Sequence, residues 1–275
     1  MLTYVKQEID GIVYKIKEPY DFSFISKYGK VFKVFDEQGI NVCFGVEKDN
    51  RRYFVKFAGA KPINFGTGDT DLAIKWLKNA TAVYRDLKHP SLIKFIKAEE
   101  IGGGYATVFE WTDAIGIESL NSPDYYRFMT LPIKKKLQAF EDILSLHVLA
   151  VSKQYVAIDF YDGSILYDYE NDKVVICDID FYQKFPYIGE LGTWGSARFV
   201  SPEECIPGAV MDEITTVYTM GATAFSIFAL GNRNKEAWTL NDALYDVAQK
   251  AISDERTKRQ QSLKHFIAEW RANSG

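Results

Sequence analysis

Acidic residues crowd two short stretches of the chain: Asp159, Asp162 and Asp168 in YVAIDFYDGSILYD (155–168), then Asp178 and Asp180 in CDID (177–180). Both stretches are otherwise apolar. Carboxylates so placed either gather hard cations and phosphate oxygens or mark the solvated tips of two strands; spacing alone leaves both open. A further charge sits upstream, Lys56 in RRYFVKFA. Period-two alternation puts it on one face with Phe54. Taken alone, a lysine in mid-strand is most often an edge residue in solvent.

The elements that must carry these residues change character along the chain. The first third is strand-rich: VFKVF, INVCFGVE and RRYFVKFA are β-branched and aromatic runs separated by the turn-forming DEQG and EKDN. GDTDLAIKWLKNATAVYRDLK follows with helical periodicity, over about 70–88, and Asp69 or Thr70 can cap its start. Two more strands, SLIKFIKAE and YATVFEW, are joined by IGGG. After residue 112 the pattern turns helical with LPIKKKLQAFEDILSLHVLAVSK, where Pro132 suits a first turn. The acidic loops come next, with SILYDYENDKVVICD reading as a hairpin, and from about 210 onward everything reads as helix. The expected organisation is α+β: residues 1–112 form a small strand-rich lobe with one helix, and 113–275 a larger helical lobe holding the acidic loops.

Composition narrows the function classes. With 275 residues, 47% hydrophobic and 25% charged, the chain is ordinary globular material, and its net charge of −4 offers no footprint for nucleic acid. The lysines at 134–136 read as a solvated helix face. Cys43, Cys177 and Cys205 are odd in number and far apart, and with three histidines no zinc spacing emerges. Free thiols and the lack of a signal-like start point to a reducing, cytoplasmic setting. The longest apolar run, VYTMGATAFSIFALG (217–231), is shorter than the roughly 20 residues of a membrane span and reads as a buried helix.

Several fragments, in order, are similar to motifs of one family. YFVK (53–56) looks like V-A-I-K; LKHPSLIKF follows a helix as the exit of αC does; VFEW (108–111) looks like a hinge strand. AIDFYDGS (157–164) matches the spacing of H-R-D-x-x-x-x-N, and VICDID (175–180) that of the strand into D-F-G. GSARFVSPE (195–203) looks like the end of an activation segment, and DERTKRQQS (254–262) like D-P-x-x-R-P-S. Over residues 24–272 the chain resembles the eukaryotic-type serine/threonine protein kinases. The resemblance implies a bilobal fold and transfer of the γ-phosphoryl of ATP, with Mg²⁺, to a hydroxyl of a protein substrate. It makes Lys56 the phosphate-holding lysine, Asp159 the residue orienting the hydroxyl, and Asp178 the metal ligand with Ser164. Gly39, Phe54, Glu110, Thr112 and Leu166 would lie around the nucleotide, and Arg259 would pair with Glu203. Such a set suits phosphoryl transfer, which needs positioning and charge neutralisation more than covalent chemistry.

The departures are as informative. The stretch DEQGINVCFG keeps Gly39 but has Gln38 and Asn41 where phosphate-cradling glycines belong. Phe54 replaces a small alanine over the adenine position, and Ala80 replaces the αC glutamate. Ala157-Ile158 stand for H-R, Tyr161 for lysine, Ser164 for asparagine, and Thr216 for the aspartate that braces the loop. Asp180, in place of glycine, is either a compensating metal ligand or a solvent-facing acid. No serine or threonine lies between Phe181 and Gly192, so switching by phosphorylation would fall to Tyr182, Tyr187, Thr193 or Ser196. Two readings stand, a divergent kinase and a pseudokinase acting as a binding module; a kinase-like enzyme with a small-molecule acceptor is a third. Residues 1–23 fall outside the resemblance and either add a strand or meet a partner.

Overall fold

The computed structural model describes residues 4–36, 39–66, 69–117, 123–189 and 195–274. The chain divides into two compact units, Met1–Arg85 with Ile93–Thr112, and Asp86–Leu92 with Asp113–Gly275. The protein is α+β, with antiparallel sheets and, among the described residues, six α-helices.

In the first unit, β1 (Val5–Ile9) and β2 (Ile12–Ile16) form a hairpin whose turn is Asp10-Gly11, both at positive φ. Strands β3 (Lys30–Phe35), β4 (Val42–Lys48), β5 (Arg51–Ala58), β6 (Phe95–Ile101) and β7 (Gly104–Glu110) make an antiparallel sheet of order β3-β4-β5-β7-β6. Alternation sends Phe44, Val46, Val55, Phe57, Ala106 and Val108 into one core, which Tyr14 and Ile16 of the hairpin cover from above. The first residues thus add a separate ribbon over the sheet, not a strand within it. Helix α1 (Thr70–Asp86) packs on the opposite face: Tyr84 meets Phe109 at 4.8 Å, and Thr81 and Tyr105 share a hydroxyl contact. Asp69 caps it, accepting from the N–H of Asp71 at 2.8 Å.

Expected strand SLIKFIKAE begins only at Phe95. Its first residues serve the second unit instead, where Ile176 N–H donates to the Ser91 carbonyl at 2.6 Å. The other elements of this unit are β8 (Ile115–Gly116), α2 (Pro123–Met129), α3 (Ile133–Ser152), β9 (Tyr155–Val156), β10 (Ile165–Asp168), β11 (Lys173–Ile176), β12 (Gln183–Lys184), β13 (Tyr187–Ile188), β14 (Val210–Met211), α4 (Glu213–Ala229), α5 (Asp242–Ala251) and α6 (Leu263–Asn273). Residues 210–211, expected to be helical, pair with Tyr187-Ile188, and α4 starts behind an Asp212 cap. From Thr215 to Ala229 every residue of α4 is buried. Its partners include Phe140 and Trp238, which ring Phe228 and Phe225. No helix among the described residues is long and apolar enough to cross a membrane.

The segment leading into α4 is tied down by charge. Arg259, fully buried, donates to both oxygens of Glu203 at 2.7 and 2.9 Å, the pair expected from DERTKRQQS. Arg256 reaches Glu203 at 2.9 Å and grips both oxygens of Asp212 at 2.8 Å. Burial pushes the Glu203 carboxyl up, yet the bonds and charge of Arg259 outweigh it and hold it below the usual range. Removing one partner leaves a buried charge uncompensated. Arg259→Ala is therefore expected to cost about 3–5 kcal/mol in urea unfolding, and the double change Glu203→Met with Arg259→Met less than that.

Candidate functional site

The acidic loops are joined at both ends. Strands β10 and β11 pair with Ile165 opposite Ile176, and one step beyond, Cys177 N–H donates to the Ser164 carbonyl at 2.9 Å. At the far side Gln183 of β12 pairs with Val156 of β9. Residues 157–164 and 177–182 therefore run between two shared backbone ties. Within them Asp159 has φ +61° and Asp178 has φ +55°. The other described non-glycine residues at positive φ have local reasons: Asp10, Asp49, Asn50 and Asp172 turn hairpins, and Gln154 and Leu230 end helices. Asp159 and Asp178 have neither excuse, and such conformations persist where the surroundings over-determine them.

The surroundings of the 159 loop can be named. Thr216 of α4 accepts from the Ala157 N–H at 3.2 Å, so a hydroxyl braces the loop at the position where the resemblance has an aspartate. Asp162, buried, holds Arg198 at 2.6 Å and accepts from Ser226 of α4 at 3.3 Å. Burial raises its carboxyl pKa, and Arg198 offsets only part of that. Gly195 lies against Asp159: a Cβ there would stand 2.3 Å from Asp159 Oδ1, and its φ of +89° also suits only glycine. A cavity of about 10 Å³, room for one water, lies between Ala157, Asp159, Ser196, Glu204 and Thr219. Tyr161, in the lysine position of the resemblance, packs edge-on against Phe199 at 6.4 Å.

Asp178 is exposed while Asp180 is buried. Asp180 is thus no solvent-facing loop acid. Ser164 closes the 3-10 turn Asp162–Ser164, and its Oγ is buried without a hydrogen-bond partner among the described residues. Leu166 is half-buried on β10, opposite Gly116 and Val175. Among the described residues no group of three or more His, Cys, Asp or Glu is arranged to hold a metal.

The remaining candidates belong to the first unit. Lys56 is buried in the middle of β5, between Cys43 and Thr107 on its neighbours, so it is not the solvated edge residue that a lone strand lysine usually is. Phe54 shares its face and is half-buried among rings, 5.6 Å from Phe35 and 6.4 Å from Phe109, with Trp111 6.4 Å from Phe35. Gly39 is exposed at φ +67° with open space around it, and Gln38 and Thr193 lie outside the described residues. Gly45, at the end of DEQGINVCFG, has a packing role: a Cβ would meet Phe32 at 2.8 Å and Trp111 at 2.9 Å. Glu110 donates its N–H to the Lys94 carbonyl and its exposed carboxylate accepts from the same residue's amine, while Thr112 is half-exposed just beyond β7. Ala80 is fully buried in α1, so the helix face that carries a glutamate in the resemblance presents only a methyl.

Sequence reasoning missed a buried pair beside the loops. His147 of α3 has its Nδ1 2.7 Å from the Ile143 carbonyl and its Nε2 2.7 Å from the Tyr182 hydroxyl. Burial drives the imidazole pKa down to about 4, although the Ile143 bond pulls the other way. The helical period marked His147 only as a core position; nothing in the spacing pairs it with Tyr182.

Two outcomes follow from these contacts. Between about pH 6.5 and 4 the unfolded chain binds a proton at His147 that the folded chain refuses, so stability falls as pH drops through that window. Urea unfolding at pH 7.5 and 4.5 should show wild type losing on the order of 2–3 kcal/mol more than His147→Phe. Thr216→Val orphans the Ala157 N–H and should cost about 1–3 kcal/mol in the same assay, with Thr216→Ser near wild type.

No model of a known protein family matches the chain. It is 35% identical over 97 residues to a GTP 3',8-cyclase of Alkaliphilus oremlandii (strain OhILAs). The match covers 34% of this chain and 29% of the length of that protein.

Proposed function

We propose that the chain is a divergent, protein-kinase-like phosphotransferase with a bilobal fold, moving the γ-phosphoryl of ATP to a serine or threonine hydroxyl of a protein substrate. The observation that carries this reading is the pair of aspartates, 159 and 178, held at positive φ away from any hairpin turn or helix end, on loops tied together at Ser164 and Cys177. Strain of this kind clusters where a carboxylate must point one way. The Thr216 brace, the Asp162–Arg198 pair and the Arg259–Glu203 pair supply further support, since each fixes a segment that the reading requires to be fixed.

In this reading Asp159 accepts the hydrogen bond of the incoming hydroxyl and takes its proton as the oxygen bonds to phosphorus. The bond from phosphorus to the β,γ-bridging oxygen breaks, and ADP departs. Lys56 balances charge on the α- and β-phosphates. The oxygen donors at 178 and 164 suit a hard divalent cation, which takes one or two protein ligands and fills its shell with water and phosphate oxygens; the orphaned Ser164 Oγ is the hydroxyl available for it. Such an ion, when bound, would neutralise charge on the transferring group. Asp180, buried two residues on, is assigned as an additional acid near that ion.

One observation favours a second reading, a pseudokinase acting as a binding module. Phe54 stands with Phe35 and Phe109 on the face of β5 that carries Lys56, where the resemblance places the adenine. The two readings part in a thermal-shift experiment with ATP, Mg²⁺ and both together. The enzyme reading expects stabilisation that requires both, because only a ligand bound by the native state raises the melting point. No shift in any mixture supports the binding module. In a radiolabel transfer assay Asp159→Asn should lose about 10²–10⁴ in rate; full activity would remove Asp159 from its role.

A further inference from the structure

Tyr182 lies between the two backbone ties and is hydrogen-bonded to His147 of α3; the geometry of the pair fixes its proton arrangement. The Ile143 carbonyl can only accept, so His147 Nδ1 carries the hydrogen. Nε2 of the neutral ring is then an acceptor, and the Tyr182 hydroxyl donates to it. The same imidazole meets the Phe160 ring edge-on at 4.6 Å. Phe160 follows Asp159 directly in the chain, and Tyr182 closes the loop that starts at Asp178. One fully buried side chain on a rigid helix therefore touches both acidic loops.

We infer that His147 and Tyr182 are positioning residues, their hydrogen bond and the Phe160 contact setting the spacing between the loops that carry Asp159 and Asp178. The inference deepens the phosphotransfer reading and rests on it. Apolar side chains could fill the same volume, but they would leave the depth and rotation of each loop to packing alone. A donor–acceptor pair specifies one arrangement, because its slippage strands two polar atoms away from water. Ala157 and Ile179 occupy the positions where the resemblance puts an imidazole and a phenyl ring. The tie between the loops has in effect moved to α3 and to the far end of the 178 loop.

The test uses Tyr182→Phe, which deletes one hydroxyl and keeps the ring, in the full chain. Hydrogen exchange followed by mass spectrometry should show peptides covering 158–162 and 178–182 exchanging about tenfold faster, with α5 and α6 unchanged. In phosphate transfer, kcat should fall by about tenfold while the KM for ATP stays within about twofold. If Tyr182→Phe does not fold, His147→Gln serves, since its amide can still accept from Tyr182 and should keep near-wild-type exchange, whereas His147→Leu should not. Unchanged local exchange in Tyr182→Phe, or equal behaviour of His147→Gln and His147→Leu, overturns the inference. So does faster exchange with kcat intact, because the spacing would then be irrelevant to the chemistry. A wild-type protein that transfers no phosphate overturns the phosphotransfer reading and the catalytic purpose of the pair together, while the exchange experiment still reports whether the pair holds the loops.

Discussion

The second unit is organised around the burial of one helix. Every side chain of α4 from Thr215 to Ala229 is out of solvent, and several are hydroxyls. A buried hydroxyl needs a partner, and the partners here follow two patterns. Thr219 and Thr223 turn back to the carbonyls four residues earlier, satisfying the helix by itself. Thr215, Thr216 and Ser226 reach outward instead, to Glu203, to the Ala157 amide and to Asp162. Those outward bonds hold the segment around Glu203 and two points of the 159 loop. The apolar ring of Phe140, Phe228, Trp238 and Trp270 fixes the helix; the helix in turn fixes the loops.

Much of this was legible beforehand where periodicity and charge speak locally. Helices α1, α3 and α4, the β10–β11 hairpin and most strands of the first sheet follow from the spacing of apolar residues. The Arg259–Glu203 pair was legible only through the motif resemblance, because the two residues lie far apart in the chain. Phe54 and Lys56 sharing a face needed nothing beyond strand geometry. What stayed hidden were contacts chosen by three-dimensional proximity among common residue types. A threonine at 216 looks like a lost brace until its hydroxyl is found on the Ala157 amide. His147 looks like an ordinary core residue and Tyr182 like a candidate for phosphorylation, and nothing in the spacing marks Gly45 as the point where Phe32 and Trp111 close in. Residues 5–16 carry alternation and an Asp-Gly turn, signals of a hairpin whose docking on the sheet only the packing of Tyr14 and Ile16 reveals.

The first unit divides its labour between the two faces of one sheet. One face is closed by the hairpin and a cluster of aromatics, with Phe22 edge-on to both Phe44 and Phe57. The other receives α1 over Tyr105 and Phe109 and carries Lys56 beside Phe54. A lysine buried in such company is costly to leave idle, and a phenyl group beside it restricts what flat ligand can approach. The proposal of phosphate transfer and that of a binding module differ in how these two neighbours share their face.

The use of a hydroxyl at position 216, where a carboxylate could equally accept from the Ala157 N–H, reaches beyond geometry. A full negative charge behind the 159 loop would repel Asp159 with an energy falling only as the inverse of distance, whereas a small dipole fades much faster. The loop is thereby insulated from the helix that supports it. Folding also proceeds with one ion fewer to strip of its hydration, so the support stays in place under changes of acidity that would neutralise an acid in the same spot.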